Sequence, residues 1–230
     1  NAENDTCFIL FDMSQDNRFK YFAISERDKR WGLYIVNCGE THVAGRADFP
    51  PPGHPRHHTF QWQNGRILHE YQLFYLLRGA GVFESNTAGR QTIRAGEMVL
   101  LFPGDWHRYK PLPNEEWHTY WAGFAGAWAD HLETEGYLNP HQPVLRIGYQ
   151  EDIVRSFSQL LDAGDTELGG YQQIMAGLLL HILGSAGAAQ HRQHFQQGNQ
   201  EALIQRARVL LADAVAEPIP MEAIAAQLGL

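Results

Sequence analysis

The chain has 230 residues, 44% of them hydrophobic and 12% aromatic, enough to bury at least one full core. Its formal net charge is −8, with a pI near 5.8, which argues against the basic surface that phosphate binding uses. Two cysteines, Cys7 and Cys38, exclude a disulfide scaffold and point to a reducing, cytoplasmic setting. No apolar run is long enough to span a bilayer, and the opening NAENDT lacks a signal-peptide pattern.

Residues 1–125 are rich in aromatic and β-branched runs broken by Gly, Pro and Asn. WGLYIVN (31–37) reads as a strand. The segment DFPPPGHPRHH (48–58), with four prolines, reads as irregular. ILHEYQLFYLLRG (67–79) alternates in part and ends at a Gly79 turn, then GVFES (81–85) and QTIRAGEMVLLF (91–102) flank the polar turn 86–90 as a hairpin. Short strands at roughly 8–12-residue spacing with Gly-rich turns predict a sandwich or barrel. After residue 125 the period becomes helical. EDIVRSFSQLLDAG (151–164) puts Ile153, Val154, Phe157, Leu160 and Leu161 on one face. The more apolar 168–187 carries Ile174, Leu178, His181 and Ile182 at helical spacing. Residues 191–200 are polar and read as a linker. A further helix starts at 201, is interrupted by Pro218 and Pro220, and is followed by a short helix over 221–230.

Three stretches in series carry a resemblance: EYQLFYLLRGAGVFES, IRAGEMVLLFPGDWHRYKP and EEWHTYWAGFAG. Together, over about residues 31–190, they resemble the cupin-type sensor domain of AraC/XylS-family transcription regulators. The tail IQRARVLLADAVAEPIPMEAIAAQLGL resembles the entry to that family's DNA-binding domain, with Ala225 and Gly229 where its helix-turn-helix uses a small residue and a turn. The resemblance implies a mainly β fold with α. It consists of a cupin-like effector-binding β-domain (1–125), a helical dimerisation segment (126–190), the linker (191–200) and a truncated helix-turn-helix (201–230). No recognition helix follows, so specific DNA binding is expected only of a full-length protein.

Cupin enzymes hold a divalent metal with two His and a carboxylate from one strand and a His from a second. His107 suits the second-strand position, but the first offers only His69, Glu70 and Gln72, a poor ligand set. The loop cluster His54, His57 and His58 reads as solvated. No metal, cofactor or catalytic residue is therefore expected; there is no Gly-x-Ser-x-Gly elbow, no His-Glu-x-x-His and no phosphate loop. The resemblance places an effector among His107, Tyr109, Thr119 and Trp121. A Trp at the position of Trp121 stacks on sugar in sugar-responsive relatives, and Thr119 shares its strand face. Arg66 and Glu70 are candidates for fixing hydroxyls or a carboxylate, and Trp62 for closing the pocket's side. The plainer alternatives stay open: His107 and Trp121 as core residues, Arg66 and Glu70 as a surface ion pair. Leu178, Leu179 and Ile182 are expected to make a two-fold homodimer, or else to cover the barrel. The expected function is a ligand-responsive bacterial transcription regulator that senses a sugar or sugar derivative. A metal-dependent cupin enzyme (isomerase or dioxygenase) is the alternative, and a dimerisation module without ligand is a third.

Overall fold

In the computed structural model, residues 17–43, 49 and 61–216 are described, with isolated positions 220, 224, 225 and 228 beyond them. Contact clustering divides the chain into a unit ending at Gly187 and a second beginning at Ala188. Among the described residues, the first unit holds nine strands: β1 (Asn17–Tyr21), β2 (Tyr34–Val43), β3 (Tyr71–Arg78), β4 (Ala80–Ser85), β5 (Gly89–Arg94), β6 (Glu97–Leu101), β7 (His107–Pro111), β8 (Trp117–Ala125) and β9 (Val144–Arg146). A six-stranded sheet has the order β1-β2-β8-β3-β6-β9, and a three-stranded sheet the order β5-β4-β7; every pairing is antiparallel. The fold is thus mainly β with helices, a cupin-like barrel of two facing sheets, as expected.

The core between the sheets follows the period of two. β3 turns Phe74 and Leu76 inward, β8 turns Trp117 and Trp121, and β4 and β5 bring Phe83 and Ile93 to the same cluster. Gly79 makes the turn from β3 into β4 possible. Its φ is +94°, and a Cβ there would lie 1.8 Å from the carbonyl oxygen of Glu116, so no other residue fits. Part of the outer face of the six-stranded sheet is apolar too, where helices cover it. Tyr120 stacks on Phe157 of α3 (Glu151–Thr166) at 5.4 Å. The Tyr71 hydroxyl donates to Asp130 and Glu133 of α2 (Ala127–Thr134). Where β2 bulges at Ile35, the buried Gln172 side chain bonds both the N–H and the C=O of that residue, at 2.9 and 3.0 Å. A side chain of α4 (Tyr171–Ala216) thereby supplies what a strand partner would have given.

Several expectations need correction. Residues 31–33 are not strand: Ser25 and Asp28 form a capping box that starts α1 (Glu26–Trp31), and Gly32 closes it. β2 then runs to Val43, further than 37, and 67–70 precede β3 rather than open it. The expected linker 191–200 lies within α4, since its Gln, Arg and His residues are polar but compatible with a helix. Residues 126–190 are no separate segment from the barrel: β9 pairs with β6, and α3 lies on the sheet. Leu179 and Ile182 are both 0% exposed, on a buried face of α4 with Met175, Ala176 and Ala186. They cover the fold and cannot meet a second copy. Leu178 is half-buried, and Ile174, expected on the packed face, is 56% exposed. The first turns of the helix carry apolar residues on several sides, so periodicity alone placed Ile182 rightly but Ile174 wrongly. The expected 221–230 helix lies mostly outside the described residues, as do His54, His57 and His58.

Candidate ligand-binding site

The stretch PGDWHRYKP, which ends in β7, makes the site by alternation. Arg108 and Lys110 point outward, His107 and Tyr109 inward. Outside, the Arg108 guanidinium donates to Glu84 at 2.7 and 2.9 Å and lies 4.4 Å from the Trp62 ring, with Lys110 at 4.5 Å. Inside, His107 is 1% exposed. Its backbone bridges that of Arg66 through two hydrogen bonds, 2.9 and 3.0 Å, which delivers the Arg66 side chain into the barrel.

Arg66 organises the interior polar groups. Its Nε donates to His107 Nε2 at 3.2 Å, and its Nη2 donates to Gln72 Oε1 at 3.0 Å and to the Tyr109 hydroxyl at 3.2 Å. With Nε2 accepting, the consistent assignment has Nδ1–H donating to the Asp105 carbonyl, 3.0 Å away. Burial, and then the charge of Arg66, hold the imidazole well below its ordinary range, at about 3, so it is neutral at physiological pH. Glu70 accepts from Asn37 Nδ2 at 3.3 Å. Burial pushes the Tyr21 phenol up, and Arg66, Tyr109 and Glu70 are the charged or titratable groups it senses. One wall is apolar: Phe74 lies 4.7 Å from the Tyr109 ring, with Trp117 beyond. The result is a guanidinium, a carboxylate, phenols and amides converging beside aromatic rings at one end of a barrel. That is the composition of a small-molecule pocket, with fixed polar groups for orientation and aromatic area for affinity.

Of the residues expected here, Arg66, Glu70, His107 and Tyr109 come together. Trp121 is 7% exposed, packs its indole over Gly39 and donates Nε1–H to Thr41 Oγ1 at 2.9 Å. Thr119, 3% exposed, stands opposite Thr41 on the same inward face. Both belong to the barrel interior, in the core. Trp62 does not close the pocket: it stacks under Arg108 and Lys110 on the outer side of β7, because those two residues alternate out of phase with His107 and Tyr109. Sequence reasoning missed Tyr21 and Asn37. β1 carried no signal of its own, and Asn37 sits where 31–37 ended as a strand.

The interior does not fit the metal of cupin enzymes. Among the described residues, the one imidazole in position, His107, has its Nε2 lone pair aimed at a guanidinium, so a cation there would face like charge. Gln72 stands where a carboxylate would be needed, and His69 is exposed.

Two facing antiparallel sheets with polar groups gathered inside define the cupin class. The chain belongs to the family of AraC-like ligand-binding domains, whose profile matches residues 43–183, more than half of its length. No curated protein matches its sequence. Solved structures similar to it include the protein YhaK from Escherichia coli, at 16% identity and a TM-score of 0.35, over 49% of this chain and 45% of YhaK. This chain therefore aligns with less than half of YhaK's length. A Cupin 2 conserved barrel domain protein from Salinispora arenicola is 18% identical with a TM-score of 0.31, over 59% of this chain and 99% of its own. A predicted oxalate decarboxylase from Thermotoga maritima is 17% identical with a TM-score of 0.29, over 46% and 78%. Among the described residues, no helix is long and apolar enough to cross a membrane.

Proposed function

We propose that the chain is the effector-binding region of a ligand-responsive bacterial transcription regulator of the AraC/XylS type. The effector is a sugar or sugar derivative held at Arg66, Glu70, Gln72 and Tyr109. The protein acts as a homodimer, with DNA contacted through the full-length protein, and its role is binding rather than catalysis. The observation that carries the reading is Arg66, a guanidinium brought inside the barrel and ringed by hydrogen-bonding groups, in a chain of a ligand-binding family. Planar, forked donors beside aromatic rings suit vicinal hydroxyls or a sugar acid's carboxylate. An effector changes the DNA-binding state only by binding one arrangement of the protein better than another.

The test is thermal unfolding against a panel of monosaccharides, disaccharides and sugar acids. A ligand at 100 times its dissociation constant adds about 2.7 kcal/mol and raises the midpoint by several degrees. One sugar class shifts the unaltered protein, and the shift is lost in Arg66→Met and reduced in Tyr109→Phe, both near-isosteric. A panel without any shift, or a shift that survives Arg66→Met, would sink the sugar-sensor reading.

A further inference from the structure

The outer face of the same sheet holds a second cluster, unconnected with the interior groups. His42 of β2 and His118 of β8 are direct cross-strand partners, and so are Glu40 and Tyr120 two residues along. The period of two puts all four on one face, opposite to Thr41 and Thr119. The two imidazoles stack with centroids 3.7 Å apart. Both aim Nε2 at one oxygen of Glu40, at 3.2 Å from His42 and 2.8 Å from His118. Among the described residues, these three side chains are the one group whose candidate ligand atoms all lie within 4.8 Å of one another.

We propose that Glu40, His42 and His118 form a binding site for a divalent transition metal of the zinc type. The donor set, two imidazoles and one carboxylate, is the one zinc, nickel and copper favour and magnesium and calcium do not. The spacing is close to what is needed. Ligands about 2.0–2.1 Å from a tetrahedral zinc stand about 3.3 Å apart, so small side-chain rotations admit the ion between atoms now joined by hydrogen bonds. Tyr120, the cross-strand partner of Glu40, stands beside the carboxylate with its ring clamped against Phe157. Access is open, with the His42, Glu40 and His118 side chains 40%, 23% and 15% exposed. Three protein ligands leave at least one position for water or an incoming donor.

The test is calorimetric titration of the chelator-treated full chain with zinc chloride and, separately, magnesium chloride. One equivalent of zinc binds and magnesium does not. His42→Asn, His118→Asn and Glu40→Gln each weaken zinc binding at least tenfold. Substituting His54, His57 and His58 together by Asn leaves it unchanged. X-ray absorption of the unmodified zinc-loaded protein shows two imidazole ligands, an answer independent of any variant's folding. Binding that follows the 54–58 cluster, binding indifferent to Glu40 and His118, or no one-to-one binding at all would overturn the proposal.

Discussion

A neutral imidazole buried beside a guanidinium is a pH-dependent liability, and His107 carries it. Its folded pKa of about 3 lies below the ordinary 6.5, so its contribution to stability is complete above 6.5 and is lost as pH falls from there towards 3. Urea midpoints taken at about pH 7.5 and about pH 4.5 should therefore fall more for the unaltered protein than for His107→Gln, which cannot charge. Equal falls would mean that the imidazole is not held neutral. At this scale the sequence was half legible. PGDWHRYKP announced His107 and Tyr109, and the strand period that turned them inward also turned Arg108 and Lys110 out. What it concealed was Arg66's central position, because a two-residue bridge to His107 between distant segments leaves no local pattern. Glu40 and His42, in GETHV, and His118, in EEWHTY, were likewise invisible as a cluster until β2 and β8 were known to be partners in register.

Among the elements, α4 shows most clearly what burial decides. Leu179→Ala removes a side chain that is 0% exposed and should cost about 2–5 kcal/mol in chemical denaturation. Ile174→Ala, five residues away on the exposed side, should change the stability of the single chain by less than about 0.5 kcal/mol. Comparable losses in both would place Ile174 in the core and invert the assignment. Periodicity found both helices α3 and α4, since their apolar residues recur at 3.6, and on α4 it placed Ile182 rightly on the packed side but Ile174 wrongly. A Leu-rich helix offers several equivalent faces, and the contacts that select one, such as Gln172 to Ile35 and Ser156 to His181, join residues far apart in sequence. The strands β3 to β8 were readable because turns and alternation are local; α1 was not, because its capping box stood beside an aromatic run that reads as strand.

For the whole molecule, the acidic balance and the wholly antiparallel barrel fit a chain that handles a small molecule better than a polyanion. The proposed homodimer is expected to use exposed apolar residues of α4 such as Ile174, which is 56% exposed. Ile174→Asp should lower the apparent mass in sedimentation or light scattering from dimer to monomer while the far-ultraviolet circular dichroism stays unchanged. A dimer that persists in this variant excludes that face.

The ring of donors and acceptors around Arg66 is already satisfied by the protein itself, and this sets the terms on which anything can bind. An occupant performs an exchange: each bond it makes to the guanidinium displaces one to Gln72, Tyr109 or His107, so the net gain per polar contact is small. Discrimination then comes from mismatch. A molecule that breaks the ring without reproducing its geometry leaves a half-buried charge short of partners, a larger loss than any one contact is worth. Such a cavity rejects near-relatives of its ligand sharply while holding the right one only moderately tightly, which is what a reversible gauge of concentration requires.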